Sequence, residues 1–296
     1  MQVKEFAMSP SEAIPYAPVV CGNWAVAELK LIYGWGDTLG VMAFDLKANK
    51  QTKIFTGEAC CLALAGSLAM WCQSDGKNEN SSILMGYDLA TGKPWKPELP
   101  EGVDDPVADG DHVVYECRDL IYLYDIKTGA CKRISDERPV HRYPNVCGDM
   151  VVWLKYEDSD FKRSQVRGYR ISNGQEYLLT NQYDECSRPE TDGVYVVWQT
   201  RSLCSFAKEI KTGQTRMVKD ALIPDVSDGI MVYEKALNPH NVYRGPRVVC
   251  GIDLRANGVE FRVSKGNSVR QVFMNGNRVV WNEGKTLHVA DLTRIP

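Results

Sequence analysis

No stretch of this sequence is long and apolar enough to be a membrane span. The N-terminus, Met1-Gln-Val-Lys-Glu-Phe-Ala-Met8, lacks the apolar core and the small-residue cleavage site of a secretory leader. These absences give the expectation of a soluble, unexported, cytoplasmic chain, or of one whose leader has been removed. No segment sustains a 3.6-residue apolar period, so almost no helix is expected. Charge of one sign is also missing: Lys+Arg number 35 against Asp+Glu 38, with no basic block, which removes the footprint of a nucleic-acid binder. The ten cysteines contain no Cys-x-x-Cys and are spread over 296 residues, which reads as reduced structural thiols, with adjacent Cys60-Cys61 the one oddity. Only four histidines are present, with no His-x-His, no His-x-x-x-His and no complete calcium loop, so no metal and no cofactor is expected. A Gly-x-Ser-x-Gly elbow, a phosphate loop and a dinucleotide fingerprint are all absent.

What is present is a repeat. Its clearest copy is Pro144-x-Val146-x-Gly148-Asp149-x-Val151-Val152-Trp153, followed by Gly168-Tyr169-Arg170-Ile171-Ser172-Asn173-Gly174 and a last apolar run. The turn anchor recurs at Gly22, Gly66, Gly110, Gly148, Gly193, Asp228-Gly229 and Gly276, each shortly before an apolar run that usually ends in an aromatic. Repeats at this period settle architecture before any motif does. Each unit reads as four short strands, because β-branched and aromatic runs alternate with tight-turn signals such as Thr91-Gly92, Thr128-Gly129 and Thr212-Gly213. The aromatics that close the second strands, Trp71, Tyr115, Trp153, Trp198, Tyr233 and Trp281, are expected to pack one unit on another. The seventh unit ends without a fourth strand, and Val3–Met8 has the length and alternation to supply it. The sequence therefore predicts an all-β, seven-bladed β-propeller of four-stranded antiparallel blades. It would be one domain over 1–296, closed by pairing of 3–8 with the last unit, 272–296.

The Pro-x-Val-x-Gly-Asp-x-Val-Val-Trp unit followed by Tyr87-Asp88-Leu89 and Thr91-Gly92 resembles the repeats of TolB-like propellers, often described as WD40-like, over essentially the whole chain. The Gly-His and Trp-Asp pairs of true WD40 blades are absent. The resemblance implies the fold; such propellers serve as interaction platforms, accessory domains, binding proteins and enzymes, so it leaves function open.

In such a blade the segment leading into the first strand and the loop after the second lie at one end, around the channel mouth. The lead-in pairs are Tyr16-Ala17, Cys60-Cys61, Asp104-Asp105, Arg142-Tyr143, Ser187-Arg188, Leu222-Ile223 and Arg270-Gln271. Arg142, Arg188 and Arg270 are thereby expected to converge and grip a carboxylate or phosphate, with Asp104 and Asp105 pairing one arginine or a ligand hydroxyl. The alternative is that arginines and aspartates neutralise each other around a water-filled channel. Long loops near Leu31–Leu39, Ser74–Ser82, Tyr156–Gln165 and Ala236–Arg247 flank the same mouth, and Trp35 between glycines is a candidate stacking or interface residue. Among the histidines, His112 and His288 fall inside strands, leaving His141 and His240 as acid–base candidates, with Tyr143 or Tyr16 as acid.

Three functions follow as expectations. The first is a ligand-binding propeller for an anionic small molecule or acidic segment. The second is a lyase or hydrolase on an anionic substrate, using His141 or His240 with Tyr143 or Tyr16. The third is a scaffold whose rim loops dock another protein. Neither a nucleic acid nor a membrane is expected as a partner.

Overall fold

The computed structural model describes residues 2–7, 13–31, 38–74, 76, 82–138, 140–157, 161–180, 186–200, 202–238, 240–242, 245–256 and 258–292. These form seven separate four-stranded antiparallel sheets, and no helix occurs among the described residues. Blade 1 spans Ala13–Phe55, blade 2 Cys60–Trp95, blade 3 Val103–Arg133 and blade 4 His141–Leu178; blade 5 spans Glu190–Lys219, blade 6 Ala221–Arg262 and blade 7 Val269–Asp291. Strand order follows chain order in blades 1 to 6. In blade 7 the fourth strand is Gln2–Ala7, paired antiparallel with Thr286–Asp291 from Gln2 opposite Asp291 to Ala7 opposite Thr286. The two ends of the chain thus share one sheet, as expected from the missing last strand.

The hairpins between first and second strands show why the anchor recurs. Cys21 pairs with Trp24 and Cys147 with Met150, leaving two-residue turns with Gly22 at φ 54° and Gly148 at φ 55°. Only glycine adopts that conformation at no steric cost. In blade 6, Asp228 and Gly229 are both at positive φ, the other favoured form of the same hairpin.

The core is seven wedges, each between consecutive blades. Trp71 packs on Val26, Val41 and Ala43 of blade 1, and Trp153 on Val114, Ile121 and Leu123 of blade 3. Trp198 packs on Met150, Val152 and Leu154 of blade 4, and Trp281 on Ile230, Val232 and Val249 of blade 6. All six strand-closing aromatics are buried, as expected of architecture. Blade 1 has Ala27 at this position instead. Its wedge against blade 7 is filled by Phe44 and by Phe6 of the N-terminal strand, whose rings meet edge-on at 5.4 Å. The residue that closes the ring is therefore also the one that replaces the missing aromatic.

Candidate functional site

Every blade's first strand lines the axis, and six of the seven are kinked at one place. Register shifts fall between Tyr16 and Val19, Cys60 and Ala63, Asp104 and Val107, Arg142 and Asn145, Leu222 and Asp225, and Arg270 and Phe273. At each kink one residue has positive φ: Ala17, Cys61, Asp105, Tyr143, Ile223 and Gln271. Such bulges turn a side chain away from the ladder and leave the bulge amide without its strand partner. A proline follows at Pro18, Pro106, Pro144 and Pro224, where a missing N–H takes nothing from the ladder. For Ile223, a β-branched residue at φ 49°, the conformation is a strained one that the surrounding sheet must hold.

Four of the six bulge amides are satisfied from the preceding blade, while Asp105 N–H donates to the neighbouring Asp104 Oδ1 at 2.9 Å. Cys61 N–H donates to Glu28 Oε1 at 3.1 Å, Ile223 N–H to Gln199 Oε1 at 2.8 Å, Gln271 N–H to Glu234 Oε1 at 2.5 Å and Ala17 N–H to Gln271 Oε1 at 2.8 Å. Glu234 also holds the buried Arg247 guanidinium, and Glu116 holds Arg142. Apart from Gln271, which is itself a bulge residue, these acceptors stand directly after the wedge position, at Ala27-Glu28, Tyr115-Glu116, Trp198-Gln199 and Tyr233-Glu234. They join one blade to the next and were not anticipated; the polar residue after the second-strand run in these four blades was the available signal, although Cys72 and Leu154 stand there in blades 2 and 4.

Inside the ring is a cavity of about 190 Å³ lined by all seven first strands. Its charged and polar wall carries Asp105, Asp109, Arg188, Glu190, Asp225 and Asn145. Arg188 lies with its guanidinium 4.8 Å from the Tyr143 ring centre and donates to Asp105 Oδ1 at 3.3 Å. Burial lifts the Asp105 carboxyl above its ordinary range against the pull of Arg188. Deeper in, Asn145 Nδ2 donates to Glu190 Oε2, while Asp225 accepts Val226 N–H and Met274 N–H, both at 2.7 Å. Burial raises both acids, Asp225 to about 7, and the Asp225 and Asp105 carboxyls raise Glu190 further against the pull of Arg188. Beside the mouth, ligand atoms of Cys61, Asp104 and Asp105 lie within 4.8 Å of one another, and Cys61 Sγ donates to Asp104 Oδ1 at 3.5 Å.

The three arginines do not converge. Arg142 is tied to Glu116 and, at 2.5 Å, to Asp119 of blade 3. Arg270 donates to the carbonyls of Val269 at 2.6 Å and Gly245 at 3.3 Å, so only Arg188 lines the cavity. The physical reason is strand alternation: Arg142 and Arg270 pair in register with Leu154 and Asn282 one residue before the bulge, whereas Arg188 occupies the bulge place itself. His141 also departs from expectation. It is fully buried, accepts Trp153 Nε1–H at Nδ1 over 2.9 Å, and burial pushes it down to about 4, which leaves it neutral and out of reach of the mouth. His240 is exposed on the blade 6 rim and does not line the cavity. Tyr143 lines it; Tyr16 does not line it and is exposed, with the Lys30 ammonium 3.8 Å from its ring centre. Asp104 is exposed beside it. Trp35 lies outside the described residues, as do parts of all four long loops.

No family model matches this chain, and no curated protein does. Solved structures do match. The chain is similar to the propellers of large proteases. The β-propeller domain of the trilobed protease from Pyrococcus furiosus superposes with a TM-score of 0.72 at 11% identity, covering 96% of this chain and 99% of that one. That ring is described as having an open velcro topology, whereas here Gln2–Ala7 closes the last blade. The tricorn protease matches with a TM-score of 0.66 at 12% identity; 96% of this chain spans 34% of it. TolB from Acinetobacter baumannii gives 0.54 at 16% identity, over 78% of this chain and 61% of that one. At these identities the likeness is one of fold.

Proposed function

We propose that this chain is a binding propeller whose ligand or partner enters the axial cavity at the bulged mouth. The observation that carries the reading is the ring of bulges. Six first strands adopt the same positive-φ kink at the same end, and the side chains turned out of the ladder there, including Cys61, Asp105 and Tyr143, line the cavity together with Arg188. Local strain of this kind persists where the surrounding structure over-determines it, and it clusters at ligand clamps. An apolar cavity with a few convergent polar groups is the usual form of a small-molecule site.

The enzymatic reading is the weaker one. A lyase needs a base beside the substrate, and of the two histidines considered His141 is enclosed with Trp153 while His240 is exposed and does not line the cavity. An anionic ligand loses two of its three expected arginines to Glu116, Asp119 and backbone carbonyls, leaving Arg188. The resemblance to propeller domains of larger proteins favours binding over chemistry in the propeller itself, whether the occupant is a small molecule or a segment of another protein.

The test is a thermal-shift screen of a metabolite library on the wild type and on Ala17→Trp, which places an indole at the cavity mouth. Compounds that bind in the channel should stabilise the wild type in proportion to their excess over the dissociation constant and lose that effect in the plugged variant. Hits that stabilise both proteins equally would refute a channel site.

A further inference from the structure

The cavity wall has a sign. Four carboxyl groups, those of Asp105, Asp109, Glu190 and Asp225, face a single guanidinium, Arg188, and that cation is already engaged by Asp105 and by the Tyr143 ring. Asp109 is likewise occupied, with Oδ2 accepting Gly148 N–H at 2.7 Å. Glu190 differs from the other acids. Its Oε2 accepts from Asn145, while its Oε1 has no hydrogen-bond partner among the described residues although the side chain lines the cavity. The side chain is only half-buried, so that oxygen is reached by solvent and is open to a donor entering the channel. Beside the acids the wall is partly apolar: Val107 and Phe273 stand at the same register position as Glu190 and Asp225 and line the cavity with them.

We propose that this cavity binds a small organic cation, whose ammonium or guanidinium group donates to Glu190 and Asp225 and whose aliphatic part lies against Val107 and Phe273. The inference rests on the reading of the channel as a binding site and adds the chemical class of its ligand. A volume of about 190 Å³ suits a ligand of a few heavy atoms or the end of one basic side chain. The acids are built for this exchange. Glu190 and Asp225 repel each other, Asp192 adds to the repulsion on Asp225, Asp105 adds to that on Glu190, and Arg188 relieves it only in part. Both acids are thus held toward the protonated form, and an entering cation favours the charged form, so binding should release a proton and strengthen as pH rises through the Asp225 range near 7.

Isothermal titration with n-butylammonium, butyrate and n-butanol, three probes of similar size and different charge, tests this. Butylammonium should bind at least ten-fold more tightly than butanol, and butyrate should not bind. Its affinity should rise between pH 6 and pH 8, with about one proton released per ligand when the heat is compared across buffers. Glu190→Gln, which keeps shape and an acceptor for Asn145, should lose at least ten-fold in affinity while its melting temperature stays near that of the wild type; Asp225→Asn serves as the second variant. Butyrate or butanol binding as well as butylammonium, or unchanged affinity in both variants, would overturn the cation proposal. If those neutral or anionic probes also lose binding in Ala17→Trp, the channel reading survives the loss. If no probe binds and screen hits ignore Ala17→Trp, both fall.

Discussion

The wedges between blades and the wall of the channel are built from the same strands and follow opposite rules. In the wedges, side chains such as Trp153 and Trp281 are almost wholly enclosed among aliphatic neighbours. Along the channel the ladder breaks in six blades, charged groups line the cavity, and side-chain acceptors reach from one blade to the amide of the next. The lesson is a division of labour within each first and second strand: the apolar layer holds the ring, which lets the axial layer tolerate bulges and buried charge.

The largest effect should come from opening the ring. Deleting residues 1–9 removes Phe6 from its wedge and bares the edge of Thr286–Asp291, so the melting temperature should fall by at least ~10 °C and the protein should self-associate with concentration, read by calorimetry and light scattering. A melting point within a degree or two of the wild type would mean the closing strand is dispensable. Next, Trp153→Ala should lose about 3–5 kcal/mol in chemical denaturation, since the indole is fully buried and its loss leaves both a cavity and an unpaired His141 Nδ1.

The two layers should also answer pH in opposite senses. His141, in the wedge, sits near 4 against an ordinary 6.5, so the unfolded chain binds its proton first and stability falls as pH drops from about 6.5 to 4. Asp225, on the channel, sits near 7 against an ordinary 3.8, so the folded chain holds its proton and stability falls as pH rises from about 4 to 7. Asp225→Asn should therefore gain on the wild type as pH rises across that window, measured as the difference in denaturation midpoints; a flat difference would remove Asp225 from the account. The smallest effect belongs to Arg188→Ala. Its side chain is 60% exposed and its pair with Asp105 is long, so stability should change by roughly 0.5 kcal/mol or less, even though the residue stands at the mouth.

Much of the ring was legible because its signals are local. Gly22 and Gly148 mark turns that need positive φ, Trp71 and Trp153 end apolar runs, and the seventh unit visibly lacks a strand that Val3–Ala7 can supply. The lead-in pairs were also legible, down to the positions that became bulges. Which member of each pair turns inward was not. Arg142 and Arg188 read alike in sequence, yet one is held by Glu116 and Asp119 while the other lines the cavity, because a bulge one residue away reverses which side of the strand a side chain leaves. The acceptors Glu28, Gln199 and Glu234 repeat plainly, but their purpose depends on an amide in the following blade, tens of residues on.

The sequence by itself determined the number of blades, the order of strands within them and the place where the ring closes, since turn conformation and alternating burial are set by neighbouring residues. Only the tertiary structure decided the charge of the channel. Arg142, Arg270 and His141 are drawn to partners away from the axis, and the acids Glu190 and Asp225, distant in the chain, are left facing the same cavity. Electrostatics depends on which groups meet through space and how much water remains between them, and neither is a property of any local stretch of chain.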